Sequence, residues 1–128
     1  MPILIEWLGF RKPMQALPTK TEAKFLLKYD NLLIGTLSAS GGNWKFEYSE
    51  EFKRRSDLRP IIEFPDISKI YERPDLWQFF ASRIPSPEQN EVEEILKREN
   101  IEIDDAVGLL KRFGRKTITN PFELVAVA

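Results

Sequence analysis

A chain of 128 residues fits one domain and can bury roughly two thirds of the surface its unfolded form exposes. It contains no Cys, which excludes disulfides, thiolate–metal sites and a thiol nucleophile, and no His, the usual general base near neutral pH and the commonest transition-metal ligand. With 19 basic residues against 20 acidic ones, no basic surplus points to nucleic acid.

Residues 1–21 differ from the rest. A short apolar stretch over 3–10 gives way to Arg11-Lys12-Pro13 and Leu17-Pro18-Thr19. Two prolines this close argue against continuous regular structure. The segment reads as one strand or helical turn plus a linker, either joining the main sheet or serving as an arm for a partner. Glu6 interrupts its apolar run and no cleavage site follows, so it does not read as a targeting segment. No apolar run approaches the ~20 residues that span a bilayer. A soluble cytoplasmic protein is expected, with residues 22–128 forming the domain proper.

Phe25-Leu26-Leu27-Lys28 and Leu32-Leu33-Ile34-Gly35-Thr36-Leu37 are β-like runs around a Tyr29-Asp30-Asn31 turn signal. After the turn Ser38-Ala39-Ser40-Gly41-Gly42, the residues Trp44, Phe46 and Tyr48 alternate with Lys45 and Glu47, the period of a half-buried strand. The connections are too short for parallel crossovers, so an antiparallel meander is expected. Ser49-Glu50-Glu51-Phe52 opens a short helical turn. Arg59-Pro60-Ile61-Ile62-Glu63-Phe64 reads as a fourth strand with Pro60 at its start or on an edge.

The second half reads as helical. Pro74 suits the first turn of a helix carrying Leu76, Trp77, Phe79, Phe80 and Ile84, stopped by Pro85. Ser86-Pro87-Glu88-Gln89 reads as a capping box opening a helix with Val92, Ile95 and Leu96 inward. Asp104 is the expected N-cap of a third helix with Val107, Leu110 and Phe113 inward, and Gly114 fits the position just past its end. Ile118 and Phe122-Glu123-Leu124-Val125 suggest a closing strand. The expected fold is α+β: a small antiparallel sheet or partial barrel of about five strands with three to four helices.

No P-loop, GxGxxG or GxSxG is present, and Gly41-Gly42 joins two strands rather than opening a helix, so it reads as a hairpin turn. The adjacent pairs Asp104-Asp105 and Glu93-Glu94 point to different helix faces and form no dyad. Lys53-Arg54-Arg55 lies among Glu50, Glu51 and Asp57 and reads as a solvated face. Lys111, Arg112, Arg115 and Lys116 complement a helix C-terminus, and also offer a contact to an acidic partner. Trp77 falls outside the stripe filled by Leu76, Phe79, Phe80 and Ile84. It reads equally as the rim of the core or as an interface anchor.

Leu33-Ile34-Gly35-Thr36-Leu37, then Gly41-Gly42, then Trp44-Lys45-Phe46-Glu47-Tyr48, resembles the start of HipA-type kinases, where a "VGxL" hairpin precedes a strand ending "FxY". The likeness continues in order. Glu51-Phe52 stands at an aromatic-bearing turn, and residues 59–65 resemble an "RPLSLSLP" strand. Residues 76–85 resemble an "FFxNLLP" helix and residues 107–115 a helix ending in "GRD". Departures are Lys116 in place of that Asp, Ile61-Ile62-Glu63-Phe64-Pro65 in place of "LSLSLP", and no counterpart for the first ~20 residues.

The resemblance spans roughly residues 23–127 and implies the N-terminal subdomain of such a kinase, without the nucleotide-binding and catalytic loops. It further implies a freestanding form of the kind found in HipBST-type toxin–antitoxin modules. There the small protein pairs with a split kinase toxin and can act as its antitoxin, alongside a helix-turn-helix DNA-binding protein. A non-enzyme follows, without cofactor or metal, with no direct nucleic-acid binding, acting as inhibitor or as an accessory that completes the kinase. The candidate partner-binding residues are Trp77 with Phe64, Asp66, Tyr71 and Arg73 in its flanking loops, and Arg115 and Lys116 after the third helix.

Overall fold

The computed structural model describes Leu17 and residues 20–127. The reading of residues 1–21 as an arm or extra strand lies largely outside them, although Leu17 itself packs half-buried against the core.

The expected meander is present. β1 (Ala23–Tyr29), β2 (Leu32–Ser40) and β3 (Asn43–Tyr48) pair antiparallel in sequence order. Asp30 takes the left-handed conformation at φ 54° in the first turn. Gly41 and Gly42, at φ 61° and 86°, make the second a two-residue turn. Positive φ at both central positions matches the twist of the flanking strands and selects glycine there. Trp44, Phe46 and Tyr48 are buried while Lys45 faces out. Gly35 pairs with Tyr48. A Cβ at Gly35 would lie 2.7 Å from the Phe46 ring and 2.5 Å from the Glu47 carbonyl oxygen, so the motif glycine lets the β3 aromatics close down on β2.

α1 (Glu50–Lys53) follows, with the Ser49 hydroxyl accepting the Phe52 amide at 3.0 Å as its N-cap. Residues 59–64 do not form the expected fourth strand. Their polar groups are taken by other partners: the Ile61 amide donates to the Tyr48 hydroxyl at 2.9 Å, and the Phe64 amide to the Ile61 carbonyl at 2.8 Å. The chain turns across the sheet there, and the place beside β3 goes to β4 (Tyr71–Arg73).

The helix expected from Pro74 is shorter. α2 covers only Gln78–Ala81, with Trp77 in extended geometry at its N-cap position. Its first turn is capped from outside, by Glu63, whose carboxylate accepts the Phe79 amide at 2.7 Å. The capping box at Ser86 is absent as well. Ser86 accepts the Glu88 amide at 3.2 Å within a turn, and α3 (Asn90–Glu99) starts after Gln89. α4 (Ala106–Phe113) is capped by Asp105, one residue after the expected Asp104, through the Gly108 amide at 3.0 Å. Gly114 ends α4 at φ −86°, right-handed rather than left-handed. Ile118 is fully exposed and outside any strand. The closing strand is β5 (Glu123–Ala126), antiparallel to β1.

Among the described residues, five strands run β4-β3-β2-β1-β5 in an open antiparallel sheet accompanied by four helices, an α+β fold. The main core gathers Phe25, Leu37, Trp44, Phe46, Phe64 and Phe80 with Val107 and Leu110 of α4. A smaller cluster of Val92, Leu96 and Leu109 holds α3 to α4. Among the described residues, no helix is long and apolar enough to cross a membrane.

Candidate partner-binding surface

Five of the seven sequence-predicted site residues come together. Phe64 meets Tyr71 and Trp77 edge-on, with ring centroids 5.1 Å and 5.0 Å apart, and the Arg73 guanidinium lies 5.4 Å from the Trp77 ring. The Tyr71 hydroxyl accepts the Asp66 amide at 2.8 Å, which ties the 66–71 turn to the same cluster. The Ser68 hydroxyl and amide both donate to the Asp66 carboxylate and hold it below its ordinary range.

These residues differ in what they present. Phe64 is 0 % exposed and Trp77 5 % exposed. Trp77 therefore belongs to the core, because the long helix that would have turned it away from the apolar stripe does not form. Extended geometry at Trp77 turns its ring inward onto Phe64. Asp66 and Arg73 are exposed and Tyr71 is half-buried, so the outer face of the cluster is polar. Arg115 and Lys116 are exposed and lie after α4, with no hydrogen bond, ion pair or ring contact to the other five among the described residues; Arg115 pairs with Glu123 of β5, which it holds below the ordinary carboxylate range. Arg112 is held by Glu99 at 2.8 Å, so two of the four cations at the end of α4 have carboxylate partners.

Sequence reasoning did not single out an apolar concavity beside α2. Residues 59–63, α2 and residues 119–122 enclose a groove of about 630 Å³. Ile61, Phe79 and Phe122 contribute apolar surface to it, and the rings of Phe79 and Phe122 lie 5.8 Å apart. Ile62, 94 % exposed, stands at its rim. A strand over 59–64 would have put one of Ile61 and Ile62 on each face, and the exposed one would have looked like an ordinary edge residue. The turn instead leaves an unshielded isoleucine beside a groove.

Arg83 was also missed. It is the one buried charged side chain among the described residues, at 4 % exposed. Its guanidinium donates to the carbonyls of Gly114 at 3.0 Å and Phe122 at 3.1 Å and to the Asn120 side chain at 3.1 Å. It also lies 5.7 Å from the Phe79 ring. Burial pushes its pKa down to about 10, and it remains a cation at neutral pH. It fastens the 114–122 segment, one wall of the groove, to the end of α2. A single Arg before Ile84-Pro85 carries no such signal in sequence.

An open antiparallel sheet with its helices and an apolar groove beside α2 defines an α+β domain. The family model for the HipA N-terminal domain matches residues 26–119, and the chain belongs to that family. No curated protein matches it. Membership places it with the non-kinase part of HipA-type proteins and implies association with a HipA-type kinase.

Proposed function

We propose that this protein is a non-catalytic binding subunit of a HipA-type Ser/Thr kinase toxin and acts as its antitoxin in the cytoplasm. Residues 22–128 form the binding domain, residues 1–21 an N-terminal arm or extra strand plus linker, and a helix-turn-helix DNA-binding protein completes the complex. The observation that supports this most is the family match over 26–119, which takes in every wall of the Ile62 groove up to Thr119. A groove with an exposed isoleucine at its rim offers the apolar anchor site around which protein interfaces concentrate their energy. The exposed Asp66 and Arg73 of the Phe64–Trp77 cluster add charged contacts outside the groove, which set specificity and association rate more than affinity.

The test is coexpression with a HipA-type kinase that lacks its own N-terminal subdomain, combined with a titration of the purified partners. Binding with relief of growth arrest is the expected result, and Ile62→Asp should weaken both. Binding that leaves arrest unchanged, or that is needed for it, would make the chain an accessory subunit completing the kinase. No binding at all would remove the proposal.

A further inference from the structure

A second hollow lies away from the Ile62 groove, in the lobe built by α3 and α4. α3 ends at Asn100, which adopts φ 56°. The Asn100 amide donates to the Lys97 carbonyl at 3.3 Å and the Ile101 amide to the Leu96 carbonyl at 2.9 Å. This pair of bonds is the Schellman arrangement, with the left-handed residue just past the helix and the next side chain folded back onto the last turn. Ile101 accordingly packs on the small core that contains Leu96. The chain then leaves Ile103 54 % exposed. Leu96, Ile101 and Ile103 give the hollow, about 580 Å³, its apolar surface.

Its rim is acidic. Glu88, Glu93 and Glu102 line it with Lys97 as the single cation, and none of these three carboxylates has an ion-pair partner among the described residues. The surrounding sequence shares the bias: residues 86–105 hold eight carboxylates against Lys97 and Arg98, in a chain of 20 acidic and 19 basic residues. A negative rim around an apolar surface favours cations that bring aliphatic groups with them, and disfavours nucleic acid, anionic membranes and acidic peptides.

We propose that this hollow docks a cationic amphipathic segment of a partner protein. Its aliphatic side chains would cover Leu96, Ile101 and Ile103, and its Lys or Arg side chains would meet Glu88, Glu93 and Glu102. This site is separate from the Ile62 groove and stands whether or not that groove receives a kinase.

The test uses three labelled synthetic peptides titrated against the full chain: an amphipathic Lys/Leu helix, its Glu/Leu counterpart, and a Lys/Ser counterpart of equal charge. Saturable binding of the Lys/Leu peptide alone is expected, weakening as salt screens the rim. The double variant Glu93→Lys, Glu102→Lys should weaken it by about tenfold or more, and Lys97→Glu should tighten it. Ile103→Asp should weaken it as well. All these positions are exposed, and melts of each variant check that the fold is intact. Absence of saturable binding, equal binding of the Lys/Ser peptide, or an unchanged affinity in the folded double variant would overturn the proposal.

Discussion

The Tyr48 hydroxyl donates to the Phe64 carbonyl at 2.6 Å while accepting the Ile61 amide at 2.9 Å. One phenol at the end of β3 thus satisfies both ends of the turn that crosses the sheet, and Tyr48 itself is 2 % exposed. The same turn carries Ile62 to the groove rim and Glu63 to the start of α2, so this hydroxyl organises the candidate surface from below.

Tyr48→Phe keeps the ring and its stacking on Phe52, 4.7 Å between centroids, but leaves a buried amide and a buried carbonyl without partners. An unsatisfied buried group costs about 1–3 kcal/mol, so a loss in that range is expected in a denaturant melt. Burial also pushes the Tyr48 pKa up from 10.0 to about 12. The fold thus holds the neutral phenol. Its contribution is intact below pH 10 and is lost as the pH climbs toward about 12. The stability difference between parent and Tyr48→Phe should shrink over that interval; a difference constant with pH would show that the hydroxyl does not titrate in the fold.

Trp77 is a test of core against interface. Its ring packs edge-on against the fully buried Phe64, and large aromatic truncations in such settings cost about 3–5 kcal/mol. Trp77→Ala is therefore expected to lower the melting midpoint of the isolated protein sharply, and any loss of kinase binding should track the unfolded fraction. A midpoint close to the parent value together with lost binding would restore Trp77 as an anchor.

The contrast between the two halves of the chain explains what was legible in the sequence. The meander was readable because period-two alternation at Trp44, Phe46 and Tyr48 and the glycines at 41 and 42 are local signals, fixed by backbone geometry. The closing strand was readable from its apolar run. Residues 59–85 were misread because their conformation is set by long-range partners. Tyr48 takes the amide that a strand would have used, and Glu63 caps α2 from sixteen residues away. Pattern reading turned those residues into a strand and a long helix, and so gave Trp77 a face it does not have. Trp77 stood out by its place outside the expected helical stripe and the other four clustered candidates by their place in the loops around it, whereas Arg83 and Ile62 have significance only in three dimensions.

The helix caps separate local signal from structural outcome. Ser49 and Asp105 accept amides of Phe52 and Gly108 at 3.0 Å each, so Ser49→Ala and Asp105→Ala should each cost about 1 kcal/mol. Ser86 lies outside α3 and serves an exposed turn. Ser86→Ala should stay within about 0.5 kcal/mol of the parent, as exposed substitutions do. Chemical denaturation of the three variants ranks them; a loss at Ser86 equal to that at Asp105 would mean that α3 begins earlier than Asn90.

Arg83 provides the most demanding test, because its charge is buried without a carboxylate. Its acceptors are carbonyl and amide oxygens spread over Gly114, Asn120 and Phe122, and its Nε has no partner. The planar fork is what lets one side chain reach all of them. Arg83→Lys keeps the charge but can serve only part of that set, and Arg83→Met keeps much of the stem volume and serves none. Bonds to a charged donor are worth about 1.5–3 kcal/mol, so both variants should lose stability on that scale, Met at least as much as Lys. The loss should also be local. Hydrogen exchange should rise first at residues 114–122 and leave β2 and β3 protected, since those strands form the centre of the sheet. With the wall of the Ile62 groove loosened, binding to the kinase should weaken in the still-folded Lys variant. If Arg83→Met were as stable as the parent and exchanged no faster at 114–122, the guanidinium would be packing material rather than the fastening of that wall.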